Sequence, residues 1–266
     1  MAVGVLVDLT KCIGCGSCTV ACKMYNGNKW IDNRVPSSGE KAELADENWT
    51  VVKKHKVSKT SVSDSDPKEV WRFVKRQCLH CKDPGCVSSC FAKAFQKTEE
   101  GPVIYYPHNC VGCRYCMLAC PFSVPKFEWN KTIPVLTKCM LCAGRLKKGE
   151  LPACVSACPT NVMKFGEREA LLAEAKRIIA DDSRYVQYIY GEEEAGGTSW
   201  LYISDMPFEQ LGFKMNVPKK PITRYSSKYM HFTPIFGAVW GIILTGIYFF
   251  TKRRAKVKKE AGKKDT

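Results

Sequence analysis

The sequence is short of acid. Its 266 residues carry 26 Asp+Glu against 41 Lys+Arg, a formal charge of +15. Such a surplus raises a nucleic acid or an anionic membrane as partner, but no basic stripe is interleaved with base-stacking aromatics, so no nucleic-acid role is expected. No secretory leader is expected: no basic stretch precedes the first apolar residues, Asp8 interrupts them, and a cysteine motif opens at Cys12. Disorder is excluded by 45% hydrophobic and 25% charged residues. At 16 residues, cysteine is too sparse for a small disulfide scaffold, and a chain of this length does not depend on such staples. The cysteines are expected to be ligands.

Sorted by spacing, they form four runs of four with none left over. Cys12, Cys15, Cys18 and Cys22 spell C-x2-C-x2-C-x3-C, and Cys110, Cys113, Cys116 and Cys120 repeat it, followed by Pro121. This is the bacterial-ferredoxin spacing for [4Fe–4S] clusters. Cys78, Cys81, Cys86 and Cys90 read C-x2-C-x4-C-x3-C, and Cys139, Cys142, Cys154 and Cys158 read C-x2-C-x11-C-x3-C before Pro159. A cubane takes three thiolates from one tight loop and the fourth from elsewhere, so runs must pair, though spacing alone leaves the partners open. Zinc closes a tetrahedral site with two C-x2-C pairs and has no use for the extra cysteines of each run. Disulfides inside such short runs would be strained. His80 and His108 flank runs whose ligand sets are already full and are expected to pack or hydrogen-bond.

Alternating Val3, Val5, Val7 and Leu9 predict a strand into the first run. Between the first two runs, 49–57 and 69–77 predict strands joined across the polar stretch 58–68, a β-rich insertion. A short strand is expected at 101–106, and a helix at 167–180 with Leu171, Leu172, Ala175, Ile178 and Ile179 on one face. Segments 185–190 and 200–204, flanking the turn-rich 191–197, predict a hairpin. Residues 229–251 form 23 positions without Asp, Glu, Lys or Arg; a helix of about 34 Å would cross a bilayer core of about 30 Å. The span has no histidine spacing suited to axial haem ligation; His231 sits at its edge.

Residues 252–266 hold eight Lys/Arg and two acids, net +6, leaving +9 before the span. Five basic residues lie just upstream (Lys214, Lys219, Lys220, Arg224 and Lys228). The bias places the tail in the cytoplasm and the cysteine-bearing part in the periplasm, on the inner membrane; a cytoplasmic cluster domain is the competing topology.

The four runs, in this order, resemble the four-cluster iron–sulfur subunits of membrane-bound respiratory oxidoreductases. The layout is most similar to the anchored iron–sulfur subunit of respiratory formate dehydrogenase, and the pattern is shared by subunits of dimethyl sulfoxide reductase, polysulfide reductase and quinone-linked [NiFe] hydrogenase. The resemblance implies an α+β fold: two ferredoxin-like, pseudo-twofold cluster-binding units, a β-rich insertion and one C-terminal transmembrane helix. On that basis 1–213 is the four-cluster domain, with unit A at 1–22 and 139–165, the insertion at 23–77, unit B at 78–120 and an extension at 166–213. A linker at 214–228, the span at 229–251 and the tail at 252–266 follow.

It also implies pairing of the first run with the fourth and the second with the third. Cys12, Cys15, Cys18 and Cys158 would hold one cluster, and Cys22, Cys139, Cys142 and Cys154 its partner. Cys78, Cys81, Cys86 and Cys120 would hold a third; Cys90, Cys110, Cys113 and Cys116 the fourth. Nitrate reductase relatives replace one cysteine by tryptophan; here the third run is intact, so four [4Fe–4S] clusters are expected. Phe91 stands where many runs place proline, which could alter the turn.

The implied role is an electron wire without a catalytic residue of its own. Its expected partners are a molybdenum- or tungsten-pterin or [NiFe] catalytic subunit and an integral membrane quinone-reactive subunit. A stand-alone membrane-tethered polyferredoxin and a zinc-stabilised membrane scaffold are the alternatives. Main-chain amides at Gly14, Gly16 and Gly112 are expected donors to cluster sulfur; Lys11 and Lys138, each just before a run, are either potential-tuning charges or solvated surface residues.

Overall fold

The computed structural model describes residues 2–30, 36–59, 68–129, 131–132 and 135–261. The chain forms two compact units, Met1–Ile222 and Thr223–Thr266.

Alternating valines build β1 (Val3–Asp8), and Gly16, in the left-handed conformation at φ 74°, starts α1 (Ser17–Asn26). The insertion contributes β2 (Ser38–Gly39), β3 (Val51–Lys59) and β4 (Lys68–Arg76), the last two antiparallel from Val51↔Arg76 to Lys59↔Lys68. Most of the expected turn at 58–68 lies outside the described residues. Next come α2 (Gly85–Ser88), β5 (Phe95–Lys97), β6 (Val103–Tyr105), α3 (Tyr115–Leu118), β7 (Lys126–Phe127) and β8 (Leu136–Thr137). The first unit ends with α4 (Ala143–Leu146), α5 (Ala153–Ser156), β9 (Met163–Glu167), α6 (Arg168–Asp181) and β10 (Trp200–Ile203).

The first strand is the middle of a three-stranded sheet ordered β10-β1-β9, parallel to β10 and antiparallel to β9. Its period-two alternation sorts side chains between two cores. Leu6 of β1 and Leu201 and Ile203 of β10 meet Leu171, Ala175 and Ile179 of α6. Val5, Val7, Trp200 and Tyr202 point the other way, into the larger core with Val52, Val57, Val74 and the thiols of Cys18 and Cys154. A separate core gathers Phe95, Tyr105, Phe127 and Leu136 around Cys86 and Cys116. Each such apolar side chain, fully withdrawn from water, contributes about 1.5–3 kcal/mol, and the cysteine loops pack directly on these cores.

The hairpin expected at 185–204 does not form as a regular ladder. Val186 N–H donates to the Ser204 carbonyl at 2.9 Å, and Tyr190 and Tyr202 exchange both backbone bonds. Four steps on one side thus oppose two on the other, which breaks the register. On its other edge β10 pairs along its length with β1.

The second unit is the helix α7 (Ile222–Ala261), longer at both ends than the uncharged run. Pro221 precedes it, and the Lys-, Arg- and Ala-rich residues after 251 continue it because they are strong helix formers. Within it, Phe232–Val257 is long and apolar enough to cross a membrane, and none of that stretch is buried.

Candidate metal centres

Each run repeats one backbone device. The residue before the second cysteine takes a positive φ: Gly14 at 72°, His80 at 50°, Gly112 at 70° and Leu141 at 52°. Glycine adopts this freely; histidine and leucine pay roughly 1–2 kcal/mol for it. Such strain is retained where the surroundings over-determine it, typically at functional sites. At Gly14 the space itself demands glycine, since a Cβ would lie 2.3 Å from Phe73 Cδ1. The exits repeat as well: Lys93, Ser123 and Asn161, each three residues past a run's last cysteine, have φ of 53°, 53° and 49°. Ala94 N–H reaches Cys90 Sγ at 3.2 Å, as Val124 N–H reaches Cys120 Sγ at 3.5 Å. Phe91 therefore leaves the turn in the form seen after Cys120, where proline follows.

The runs converge on cavities. Cys12, Cys15, Cys18 and Cys158 line one; Cys22, Cys139, Cys142 and Cys154 line a second; Cys90, Cys110, Cys113 and Cys116 line a third. Cys78, Cys86 and Cys120 are the thiols whose charge acts most on Cys81. Burial pushes Cys18, Cys22, Cys86 and Cys116 up to about 12. Cys15, exposed, is lowered by the Ser17 hydroxyl and amide. Thiols so buried keep their protons until a metal displaces them.

A cation lies at a position that the sequence pattern does not single out. Lys75, at the end of β4 and 3% exposed, lines both the first and the second cavity. Its Nζ donates to Gln77 Oε1 at 3.0 Å and stands 4.4 Å above the Trp200 ring. Burial pulls this ammonium down, but the thiolates of Cys154 and Cys18, with Tyr202 and Cys139, outweigh that and leave it raised. Lys138 is no surface residue either: it is 3% exposed, its Nζ held by the carbonyls of Val103 at 2.5 Å and Cys139 at 2.8 Å. A chain carbonyl cage replaces the water expected around it. Lys97 Nζ donates to the Cys81 carbonyl at 2.8 Å, and burial lowers it to about 8. Lys11 is solvated and paired with Asp8 at 3.0 Å.

His80 is fully buried, its Nδ1 accepting from Val103 N–H at 2.9 Å. Burial, then Lys138 and Lys97, keep it neutral. His108 is exposed, with its ring 6.0 Å from that of Tyr106.

The donor sets suit iron–sulfur clusters. Trp200 Nε1 and Thr50 Oγ1, both buried and both belonging to residues that line the second cavity, have no acceptor within the protein. A sulfide-bearing group there would take their bonds. Among the described residues, no three His, Cys, Asp or Glu side chains converge as a single ion requires.

Mixed helix and sheet with ferredoxin-like thiol loops define an iron–sulfur protein. Two models described as 4Fe–4S dicluster domains match residues 11–94 and 69–168. A protein of Nitratidesulfovibrio vulgaris is 39% identical over 264 residues, 97% of this chain and 69% of its own length. The hydrogenase-2 operon protein HybA of Escherichia coli O157:H7 is 35% identical over 247 residues, 79% of this chain and 72% of its own. The nitrate-inducible formate dehydrogenase iron–sulfur subunit of Escherichia coli K12 is 34% identical over 224 residues, 81% of this chain and 72% of its own. The chain belongs to this family of 4Fe–4S iron–sulfur subunits.

Proposed function

We propose that the protein is the electron-transfer subunit of a membrane-bound oxidoreductase, carrying four [4Fe–4S] clusters in the cysteine sets given by the family resemblance. The observation that carries this is the gathering of thiols from distant runs around shared cavities: Cys158 joins the first run, and Cys22 joins the fourth. Such clusters, when bound, pass single electrons without making or breaking bonds. The chain's own residues hold them, exclude water and set the local charge.

Exposed apolar residues mark two places for partners. Ile13 within the first run and Met24 just after it are 59% and 68% exposed; Phe91 just after the second run and Val111 and Leu118 within the third are 75%, 62% and 83% exposed. Apolar surface of this kind beside electron-carrying loops fits docking of other subunits. One would be a catalytic molybdenum- or tungsten-pterin subunit, as in formate dehydrogenase, and the other a quinone-reactive membrane subunit. The helix Phe232–Val257 would add an anchor, with the cluster domain periplasmic and the tail cytoplasmic. The domain 1–213 would then comprise units A and B about their insertion, a pseudo-twofold arrangement supported by the repeated backbone turns of the runs.

A [NiFe] hydrogenase as the catalytic partner is the second reading, favoured by the match to HybA over 247 residues. Metal analysis of the complex purified from native membranes tests both. About 16 iron per chain is expected, with nickel or with molybdenum or tungsten naming the partner. Stoichiometric zinc without iron would overturn the proposal, and iron without any co-isolated catalytic subunit would point to a free polyferredoxin.

A further inference from the structure

Lys75 is held more firmly than a lysine filling space. Gln77 accepts from its Nζ at 3.0 Å, Gln77 Nε2 donates to Tyr202 Oη at 2.7 Å, and Tyr202 Oη donates to the Lys75 carbonyl at 3.2 Å. The loop closes on the same residue, so the ammonium is fixed at both ends of its side chain. No Asp or Glu among the described residues forms an ion pair with it. An ammonium withdrawn from water without a counter-charge is strongly disfavoured. The groups around it that turn negative when a metal displaces their protons are the thiols of two cysteine sets.

We propose that Lys75 is the shared counter-charge of the first two cages and raises the reduction potential of the clusters held by both. The inference rests on the four-cluster reading above. The physics is Coulombic. Reduction adds negative charge to a cluster, and a fixed cation in the common wall stabilises the reduced form of each. Cluster potential is set by net charge, hydrogen bonds to sulfur and solvent exposure; here one residue supplies charge to two cages in a water-poor core. The two are thereby poised together: the thiols that act most on Lys75, those of Cys154, Cys18 and Cys139, belong to these two sets, and Lys75 does not line the cage built on Cys90.

The test is an EPR-monitored redox titration of the complete complex from native membranes, with iron measured in each sample. In Lys75→Met, two clusters are expected to lose at least tenfold in reduced-to-oxidised ratio at a fixed potential, which is about 59 mV for one electron. The other two stay in place, and Lys75→Arg restores near-native values. Unmoved potentials, a shift in one cluster alone or an equal shift in all four would overturn the proposal. Should Lys75→Met lose iron, Lys75→Gln and Lys75→Arg carry the comparison. Iron lost in both neutral variants but kept at native potential in the arginine variant supports a required charge; iron lost in all three overturns it, because side-chain fit then decides the site. A wild-type protein without iron would instead remove the four-cluster reading itself.

Discussion

Arg72 grips Asp205 with two parallel bonds, Nε to Oδ1 at 2.9 Å and Nη2 to Oδ2 at 2.5 Å. The pair ties β4 to the residues just after β10, and so fastens the insertion to the central sheet. Hydrogen bonding to Asp205 raises Arg72 above its ordinary range, with burial opposing. Loss of a bidentate charged pair costs about 2 kcal/mol. Asp205→Ala is expected to accelerate amide exchange in β3 and β4 while leaving β1 protected; equal acceleration in all three strands would refute a local tether.

Gly14 and Gly27 both have positive φ, at 72° and 63°, but only Gly14 faces a side chain. Gly14→Ala is expected to lose the first cage and about a quarter of the iron. Gly27→Ala, with open space beyond, costs about 1–2 kcal/mol and keeps its iron. Equal iron in the two variants would show that the loop tolerates a Cβ against Phe73.

Acid stability should fall below about pH 6.5. His55 is lowered by burial, then by Lys53 and Arg76, and His80 is lowered further. A histidine whose folded pKa is depressed binds its proton more readily when unfolded, so stability is full above the unfolded value of about 6.5 and declines as pH drops through it. The thermal midpoint should drop between about pH 7.5 and 5.5, and drop less in His55→Phe. An identical decline in that variant would clear His55 of the effect.

Ending the chain before Ile222 removes the whole of α7. The shortened protein should leave the membrane fraction with its iron retained, measured by fractionation and metal analysis. Continued membrane association would assign attachment to the first unit.

The cysteine runs, the strands of the insertion and α6 are legible because each has a period or spacing that survives without its surroundings. Leu171, Ala175 and Ile179 recur at helical intervals, and all three are buried. Lys75 was not legible. A lysine near the end of a strand reads as solvated, and only the arrival of two cysteine sets from other parts of the chain buries it. Lys11 and Lys138 show that position alone does not discriminate: both precede a run, yet one is solvated and the other sealed between carbonyls. For 185–190, the aromatic pattern announces a strand, but the unequal number of residues opposing 202–204 limits the pairing to the bridge between Tyr190 and Tyr202 and one bond from Val186.

The way the first cavity is walled also orders events during synthesis. Cys12, Cys15 and Cys18 leave the ribosome early, but the cavity they line is completed by Cys158, and β1 between them and the N-terminus has no sheet partner until 163–167 and 200–203 are made. On the proposed ligand sets, the runs at 78–90 and 110–120 serve each other and close as soon as the latter has emerged. With those sets, iron loading begins in the middle of the nascent chain and finishes at its beginning, so a ribosome stalled before Cys158 would carry a polypeptide charged in its second half and empty at its first run.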